Sequence, residues 1–225
     1  MEQPWWKRFL SFFFEWHIES SPSPVNPHLY VSLRRGRYQL STANAVYSFG
    51  DLYDNFRKAF EQLDLDRLEG KDVLLLGFGL GSIPYMLERN FDRHFRYTAV
   101  ELDEAVIDLA SQYVIPQLEA TVELIEADAY AYMLQNSRQY DLIAMDVFLD
   151  VQVPPPFESP EFLEALKAAL KPDGILIYNR LAQTKPDKER TSNFYTDRFK
   201  KHFPEGDYLD VDGNWMLLNR SDFRR

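Results

Sequence analysis

The segment Val73–Ser82, with the sequence VLLLGFGLGS, constrains the fold of this chain more than any other stretch. Apolar residues run without a break into three glycines, which predicts a buried strand that ends in a tight turn. A second apolar run, Tyr97–Glu101, ends on a carboxylate twenty positions after Gly81. Glycines let a ligand approach the backbone, and an acid on the neighbouring strand can accept hydrogen bonds from ribose hydroxyls, so the pattern favours an adenosine-containing cofactor. The predicted cofactor-binding residues are Gly77, Gly79, Gly81 and Glu101.

The spacing of the glycines narrows the class of cofactor. A dinucleotide-binding turn reads Gly-x-Gly-x-x-Gly, but here the third glycine comes one position early and Ser82 stands in its place. No Gly-Lys-Ser/Thr follows, which excludes a phosphate-binding P-loop. The pattern Gly-x-Gly-x-Gly resembles motif I of the class I S-adenosylmethionine-dependent transferases. This resemblance implies S-adenosylmethionine or its decarboxylated form as cofactor, with no metal required.

Composition limits the other partners and the compartment. The net charge of −10 argues against a nucleic-acid substrate, because phosphate contacts need a basic face. The absence of cysteine excludes disulfides and thiolate metal sites and fits a cytoplasmic location. No apolar run approaches the roughly 20 residues of a membrane span. The aromatic start, Trp5–Phe14, is interpreted as an arm packed on its own domain or on a partner subunit, with an interfacial anchor as the alternative.

The rest of the chain alternates strands with helices. Residues 1–50 are predicted to form an aromatic and β-hairpin extension, with strand-like pieces at 12–18, 29–33 and 38–41, and residues 51–225 the transferase domain. The predicted strands of that domain cover 73–77, 96–101, 121–125, 140–146, 174–179, 208–211 and 214–219. The first predicted helix begins at an N-cap on Asp51, and the later helices cover 81–90, 103–114, 128–135, 160–170 and 192–202. This alternation predicts an α/β fold with a doubly wound, mostly parallel Rossmann-like sheet and an antiparallel C-terminal strand.

Two acids follow predicted strands at the edge where ligands bind in such a sheet. Asp146 ends the fourth core strand and should face Gly77–Gly81 across a pocket, where a reacting group would meet the cofactor. Asp128 ends the third core strand and can accept a hydrogen bond from an adenine amino group, while the Ala129 N–H donates to a ring nitrogen. Asp128 can also serve as the N-cap of the next helix, and both roles are compatible.

Two further acids are candidates with an ordinary structural alternative. Asp103 lies just after the cofactor-binding strand, and Asp150 lies four residues after Asp146 in a proline-containing loop. Acids in first helical turns and in loops are common without any function, so each is equally well interpreted as a solvated or capping carboxylate.

A family resemblance adds to this interpretation. Tyr140–Asp146, together with Phe157–Leu163 and Leu170–Gly174, resembles the spermidine synthase-like (polyamine aminopropyltransferase-like) branch of the class I transferases, over about residues 29–220. The resemblance implies that Asp146 deprotonates and orients an attacking amine, with Asp150 as the counterpart of a second acid.

The same resemblance implies further site residues and partners. Gln39 in the leading hairpin would contact the cofactor, and Tyr47 would line the substrate pocket. The acceptor would be a small molecule, possibly a polyamine, and the protein would be a homodimer.

The chain departs from the pattern of that family at three points. Leu80 stands where the family has an acid in its glycine-rich loop, a Tyr-His-Glu-like segment is replaced by Tyr47-Ser48-Phe49, and the second acid is displaced by one residue. A small-molecule methyltransferase and a catalytically lapsed cofactor-binding or dimerising protein therefore stay open as alternatives.

Overall fold

A computed structural model describes residues 3–42, 45–149 and 152–225 in two sheets with surrounding helices. The strands are β1 (Trp16–Ser21), β2 (Leu29–Arg34), β3 (Arg37–Ser41), β4 (Val46–Ser48), β5 (Asp72–Leu76), β6 (Arg96–Glu101), β7 (Val122–Glu126), β8 (Tyr140–Met145), β9 (Leu170–Leu181), β10 (Asp207–Val211) and β11 (Asn214–Leu218). The helices are α1 (Trp5–Leu10), α2 (Asp54–Glu61), α3 (Ser82–Phe91), α4 (Glu104–Tyr113), α5 (Ala129–Gln135), α6 (Pro160–Ala168), α7 (Lys185–Phe194) and α8 (Lys200–His202).

The larger sheet has the strand order β10-β11-β9-β8-β5-β6-β7. Strands β5 to β9 pair in parallel, while β11 pairs antiparallel with both β9 and β10. Strand β5 lies between β6 and β8. The chain therefore first adds β6 and β7 on one side of β5 and then adds β8 and β9 on the other side. The carboxyl ends of β5 and β8 therefore meet where the strand order reverses, which is where open α/β sheets bind ligands. The predicted Rossmann-like α/β fold with an antiparallel end is confirmed.

Apolar residues cover both faces of the central strands. Along β5, Val73 and Leu75 pack into one hydrophobic core, whereas Leu74 and Leu76 pack into the core on the opposite face. All four side chains are almost completely buried. Continuous apolar runs such as this one are what a parallel sheet requires when helices cover it on both sides.

The smaller sheet has the order β1-β2-β3-β4 and is antiparallel throughout. The predicted hairpin is confirmed, since β2 and β3 pair in register across a turn at Arg35 and Gly36. Strand β4 then passes close to the glycine-rich turn: the hydroxyls of Ser48 and Ser82 lie 2.6 Å apart. The smaller sheet thus reaches the carboxyl edge of the larger one.

Two predicted boundaries differ because of tertiary contacts. Asp51 is not a helix N-cap: it forms an ion pair with Arg37 at 2.5 Å, and α2 begins three residues later at Asp54. Strand β9 starts at Leu170 rather than at 174, because Leu170 pairs with Tyr140 before a register shift. Residues 171–174 are therefore part of an irregular strand.

The two ends of the chain also differ from the prediction. The strand expected over 12–18 begins only at Trp16, and the aromatic residues before it form the short helix α1 and a turn. The last helical region begins at Lys185 instead of 192, since Thr184 and Asp187 form a capping box. No helix within the described ranges is long and apolar enough to cross a membrane.

Candidate active site

A cavity of about 550 Å³ lies beyond the carboxyl ends of β5, β6 and β8. Its size is within the range of pockets that enclose cofactors and drug-sized ligands. The glycine-rich turn and the start of α5 form one side, and the end of β8 with β9 and β11 forms the other. The predicted site residues that line it are Tyr47, Gly77, Gly79, Glu101, Asp128, Ala129 and Asp146.

Gly77 allows the close approach of the two strand ends. Its φ is +83°, and a Cβ atom there would lie 2.4 Å from the backbone oxygen of Asp146. No side chain fits into this gap, because non-bonded atoms do not approach so closely. Glycine at this position therefore sets the distance between the cofactor-binding turn and the end of β8.

Gly81 has a structural role instead of a place in the cavity wall. It precedes α3 with a φ of +76°, and a Cβ atom there would lie 2.8 Å from the ring of Phe78. Gly81 does not line the cavity, contrary to the expectation for a cofactor contact. Its contribution is to turn the chain into the helix while leaving room for the Phe78 ring.

The Glu101 carboxylate ties the glycine-rich turn to the end of β6. One oxygen accepts the N–H groups of Phe78 and Gly79 at 3.0 and 3.1 Å. The other accepts the N–H groups of Leu102 and Asp103 at 2.9 and 3.2 Å. Burial raises the pKa of Glu101, and these four donors oppose the rise by stabilising the charged form. The acid is thus held at the cavity wall in a fixed orientation.

Strand β4 covers the glycine-rich turn from above. The Ser82 hydroxyl accepts the N–H of Phe49 at 2.9 Å and bonds the hydroxyl of Ser48. A Cβ atom on Gly79 would lie 3.2 Å from that of Ser48, so glycine is needed for the two segments to pack. Ser82, the residue that breaks the dinucleotide pattern, is therefore the link between the turn and the smaller sheet. Tyr47 lies beside this link and lines the cavity.

Asp128 takes the capping role that the sequence allowed. One of its oxygens accepts the N–H of Ala131 at 2.8 Å, which makes it the N-cap of α5. Both Asp128 and Ala129 also line the cavity, next to the apolar side chains of Leu102 and Val106. Asp128 is therefore a helix-capping carboxylate that lies in a partly apolar wall of the cavity.

Asp146 is the centre of a polar cluster in which Asn179 is fully buried and the other members are half-buried. Its carboxylate accepts a hydrogen bond from the Asn179 side-chain amide at 2.8 Å, and Asn179 in turn accepts one from Asn214 at 2.9 Å. Burial raises the pKa of Asp146 to about 6, and the nearby negative charge of Glu101 adds to the rise. Hydrogen bonds from Asn179 and Tyr53 partly offset it. A carboxyl that titrates near neutrality can accept a proton from a reacting group.

Two other predicted residues lie away from the cavity. Gln39 is almost fully buried and donates to the Ser41 hydroxyl at 2.9 Å. Asp103 is 1% exposed and is the N-cap of α4, and its second oxygen binds the Asn26 side chain at 2.5 Å. Direct cofactor contact by either residue is not what this geometry offers. Asp103 instead anchors the segment after β1, and Asn26 in that segment does line the cavity.

One predicted residue lies outside the part of the chain that the structure describes. Asp150, the candidate second acid, falls between the described ranges, which end at 149 and resume at 152. The segments on either side of it, from Val147 to Leu149 and from Pro154 to Phe157, contribute side chains to the cavity wall.

The polar residues that complete the Asp146 side of the cavity were not predicted from the sequence. They are Tyr53, Asn55, Asn179 and Asn214. Asn179 carried a signal in the sequence, since it is a polar residue at the end of the apolar strand predicted over 174–179. In the structure its amide is fully buried, and such groups need polar partners. Tyr53 and Asn214 carried no such signal, because only the fold brings the segment before α2 and the C-terminal hairpin to Asp146.

The charge of the cavity is negative. Three carboxylates line it, and none of its described lining residues is a lysine, arginine or histidine. Leu80, which replaces the acid of the related loops, is 1% exposed and packs in the hydrophobic core. Across the described ranges, no group of three or more His, Cys, Asp or Glu side chains is arranged to hold a metal ion. The site is thus suited to cations and unsuited to phosphates.

Comparisons with known proteins agree with this architecture. A probable polyamine aminopropyl transferase of Bifidobacterium longum is 28% identical over 107 residues, which cover 48% of this chain and 23% of that protein. Human methyltransferase-like protein 13, solved in complex with SAH, is 26% identical with a TM-score of 0.55, covering 68% of this chain and 73% of that one. The chain spans less than half the length of the first curated relatives that it matches.

Two further comparisons place the chain by fold and by family. Spermidine synthase from Thermotoga maritima has the same fold, with a TM-score of 0.63 at 17% identity over 90% of this chain and 71% of that one. The family model of the spermine/spermidine synthase domain matches residues 63–208, which include the glycine-rich turn and the end of β8. The chain therefore belongs to the spermine/spermidine synthase domain family.

Proposed function

We propose that this protein transfers an alkyl group, either aminopropyl or methyl, from a sulfonium cofactor to a small acceptor such as an amine. The observation that carries the proposal is the charge of the cavity, which has three carboxylates and no basic side chain among its described lining residues. A cationic sulfonium group and a cationic amine both gain from that field, whereas a pyrophosphate is repelled. Membership of the spermine/spermidine synthase domain family supports the same class of reaction.

The residues on the glycine side fit S-adenosylmethionine or its decarboxylated form. Glu101 would accept the ribose hydroxyls, and Asp128 with the Ala129 N–H would meet the adenine edge. Leu102 and Val106 provide apolar surface for the ring between them. When bound, such a cofactor supplies an electrophilic carbon attached to a positively charged sulfur, which leaves as a neutral thioether.

Asp146 is suited to prepare the acceptor. An amine is protonated at neutral pH and becomes a nucleophile only after it loses a proton. A carboxylate whose pKa is raised to about 6 is ionised at neutral pH and is a stronger base than an exposed aspartate. Asn179 and Tyr53 hold it toward the cavity, so the ammonium proton can pass to Asp146 before the freed nitrogen attacks the cofactor carbon.

The experiment that tests the proposal is calorimetric titration followed by product analysis. We expect S-adenosylmethionine or its decarboxylated form to bind and NAD to fail. Mass spectrometry after incubation with each cofactor and a series of amines would then reveal a methyl or an aminopropyl adduct. Asp146→Asn should abolish transfer while keeping cofactor affinity, because the residue contacts the acceptor side. Tight binding of NAD, or full turnover by Asp146→Asn, would refute the proposal.

Methyl transfer is the second candidate, and one observation favours it. A diamine acceptor needs an acid for its distal ammonium, but the described acceptor wall beside Asp146 is formed by neutral amides and Tyr53. Leu80 cannot supply that charge, since it lies in the core. A monoamine or another acceptor with one reactive nitrogen suits such a wall better. Preference for S-adenosylmethionine over its decarboxylated form would decide for methyl transfer.

The assembly and the cellular location stay predictions. A homodimer is expected from the family resemblance, and a cytoplasmic location from the lack of cysteine. Light scattering at increasing protein concentration would test the first, and fractionation of cells that express the full protein would test the second.

A further inference from the structure

The N-terminal segment presents an aromatic patch to solvent. Helix α1 buries none of its own residues, and the turn that follows it is exposed as well. The patch consists of Trp5 (80% exposed), Trp6 (42%), Phe9 (59%), Phe12 (64%), Phe13 (70%) and Phe14 (51%). These six rings of the aromatic arm therefore face solvent and are not buried against the domain. Apolar surface gathered in this way is rare on monomeric proteins unless something binds it.

The aromatic patch is held firmly against the smaller sheet. Ser11, at its centre, is 1% exposed. The Ser11 carbonyl accepts the Arg35 N–H at 2.7 Å, and its hydroxyl accepts the Gly36 N–H at 2.9 Å. Trp6 and Trp16 stack edge to face with ring centres 5.8 Å apart. The exposed rings are thus presented by an ordered support, which lowers the entropic cost of binding a partner.

Basic side chains surround the aromatic patch. Lys7 and Arg8 lie on α1, Arg34 ends β2 and Arg35 lies in the turn that follows it, and both arginines are exposed. Residues 3–37 contain five basic and two acidic residues, whereas the whole chain has 25 basic and 35 acidic ones. The four side chains form no ion pair with any other described residue in the structure. This edge of an acidic protein is therefore positively charged.

We propose that the aromatic patch and its basic border bind the surface of an anionic phospholipid membrane. Tryptophan and phenylalanine prefer the boundary between headgroups and acyl chains, and lysine and arginine beside them are attracted by acidic headgroups. A second copy of the chain fits less well. A symmetric dimer through this patch would bring the four cations of each copy, eight in all, into one interface, and like charges repel. The inference does not depend on the proposed function.

The test is co-sedimentation of the full chain with lipid vesicles. We expect the protein to sediment with vesicles of phosphatidylcholine mixed with phosphatidylglycerol, and to stay in solution with phosphatidylcholine alone. The combined substitution Trp5→Ala, Phe9→Ala and Phe13→Ala should lower the fraction bound by about tenfold or more, since three large apolar side chains no longer enter the interface. Arg34→Glu with Arg35→Glu should lower it similarly. Leu134→Ala removes an exposed apolar side chain (44% exposed) elsewhere on the surface and should change nothing.

Several outcomes would overturn the proposal. One is the absence of binding to the anionic vesicles at low salt, and another is unchanged binding by the triple variant. A concentration-dependent dimer that the triple variant abolishes, without vesicle binding, would assign the patch to a second copy. Thermal unfolding of every variant verifies that the fold is retained, which we expect because all three rings are exposed.

Discussion

Replacing the acid at the centre of the site should make the protein more stable, and only at neutral and alkaline pH. Burial raises the pKa of Asp146 from 3.8 to about 6. A carboxyl whose pKa is higher in the folded than in the unfolded state favours folding while it is protonated. That contribution is fully present below about pH 4 and is lost as the pH rises through about 6. Above that range, the buried charge of Asp146 opposes folding.

The size of this effect follows from the two pKa values. They differ by about two, and each pKa unit corresponds to 1.36 kcal/mol, so the charged form costs up to about 3 kcal/mol. Asp146→Asn removes the charge but keeps an oxygen that can accept the hydrogen bond from Asn179. At about pH 8 we therefore expect the variant to unfold up to roughly 6 to 12 °C higher than the natural chain, a range typical for a chain of this length.

Differential scanning calorimetry across pH measures the effect without any knowledge of the substrate. The gain of Asp146→Asn should shrink steadily as the pH falls and vanish near about pH 4. Asp128→Asn is the matched control: it removes a carboxylate from the same cavity, and asparagine caps a helix as well as aspartate does. An equal gain in that control would mean that net charge, not burial, is responsible. A gain of Asp146→Asn that is independent of pH, or a loss at about pH 8, would refute the reasoning.

Three further substitutions test single contacts of the site. Gly77→Ala should cost more than about 2 kcal/mol in urea denaturation, because a left-handed backbone and a contact with the Asp146 carbonyl are both unfavourable; a neutral result would show that the strand ends separate easily. Asp103→Ala should cost about 1 to 3 kcal/mol by losing a helix cap and the Asn26 anchor, with Asp103→Asn affected less. Asn179→Leu should raise the pKa of Asp146 by about one to two, since a hydrogen bond to a charged group is worth about 1.5–3 kcal/mol. Carboxyl-carbon NMR would follow that titration, and a lower pKa would contradict the assignment.

Much of the larger sheet could be predicted because its signals are local. The strand expected over 96–101 is observed at Arg96–Glu101, and the helix expected over 160–170 is observed at Pro160–Ala168, where Ser159 caps it. In each unit an apolar run, a turn and a capping residue lie next to one another in the sequence. The errors arose where distant partners decide the structure. Asp51 has the residue type of an N-cap, but the ion pair with Arg37 on another strand holds it elsewhere.

The residues of the site also differ in whether local sequence or distant partners decide their position. Its glycine side is built from residues that end β6 or closely follow β5 and β7. Their position next to a predicted strand therefore indicated Gly77, Gly79, Glu101 and Asp128. Asp103 shows the limit of such reasoning, because a carboxylate after a strand has the same sequence pattern whether it meets a ligand or caps a helix. Here its oxygens bind Ala105 and the segment before β2.

The Asp146 side of the cavity could not be predicted from the sequence, for a different physical reason. Asp146 was identifiable as a strand-end acid, but its pKa and orientation depend on Tyr53 before α2, Asn179 on β9 and Asn214 on β11. These residues come from three separated segments, and the register between β9 and β11, where Asn179 lies opposite Met216 and Leu181 opposite Asn214, brings the two amides together. No short motif encodes a register.

The glycine side of the cavity is encoded by local sequence, whereas the Asp146 side depends on distant segments. For this reason the cofactor class could be inferred more sharply than the reaction. Restoring an acid at Leu80 would place it in the hydrophobic core, because that side chain points away from the cavity. Leu80 is therefore not an open position at the cavity where an acid could simply be exchanged for leucine. In the proposed reaction, the acceptor would instead meet Asp146 with its amide partners on β9 and β11. We therefore expect acceptor specificity to depend on residues of β9 and β11 beside Asp146, which lie far in sequence from the glycine-rich turn.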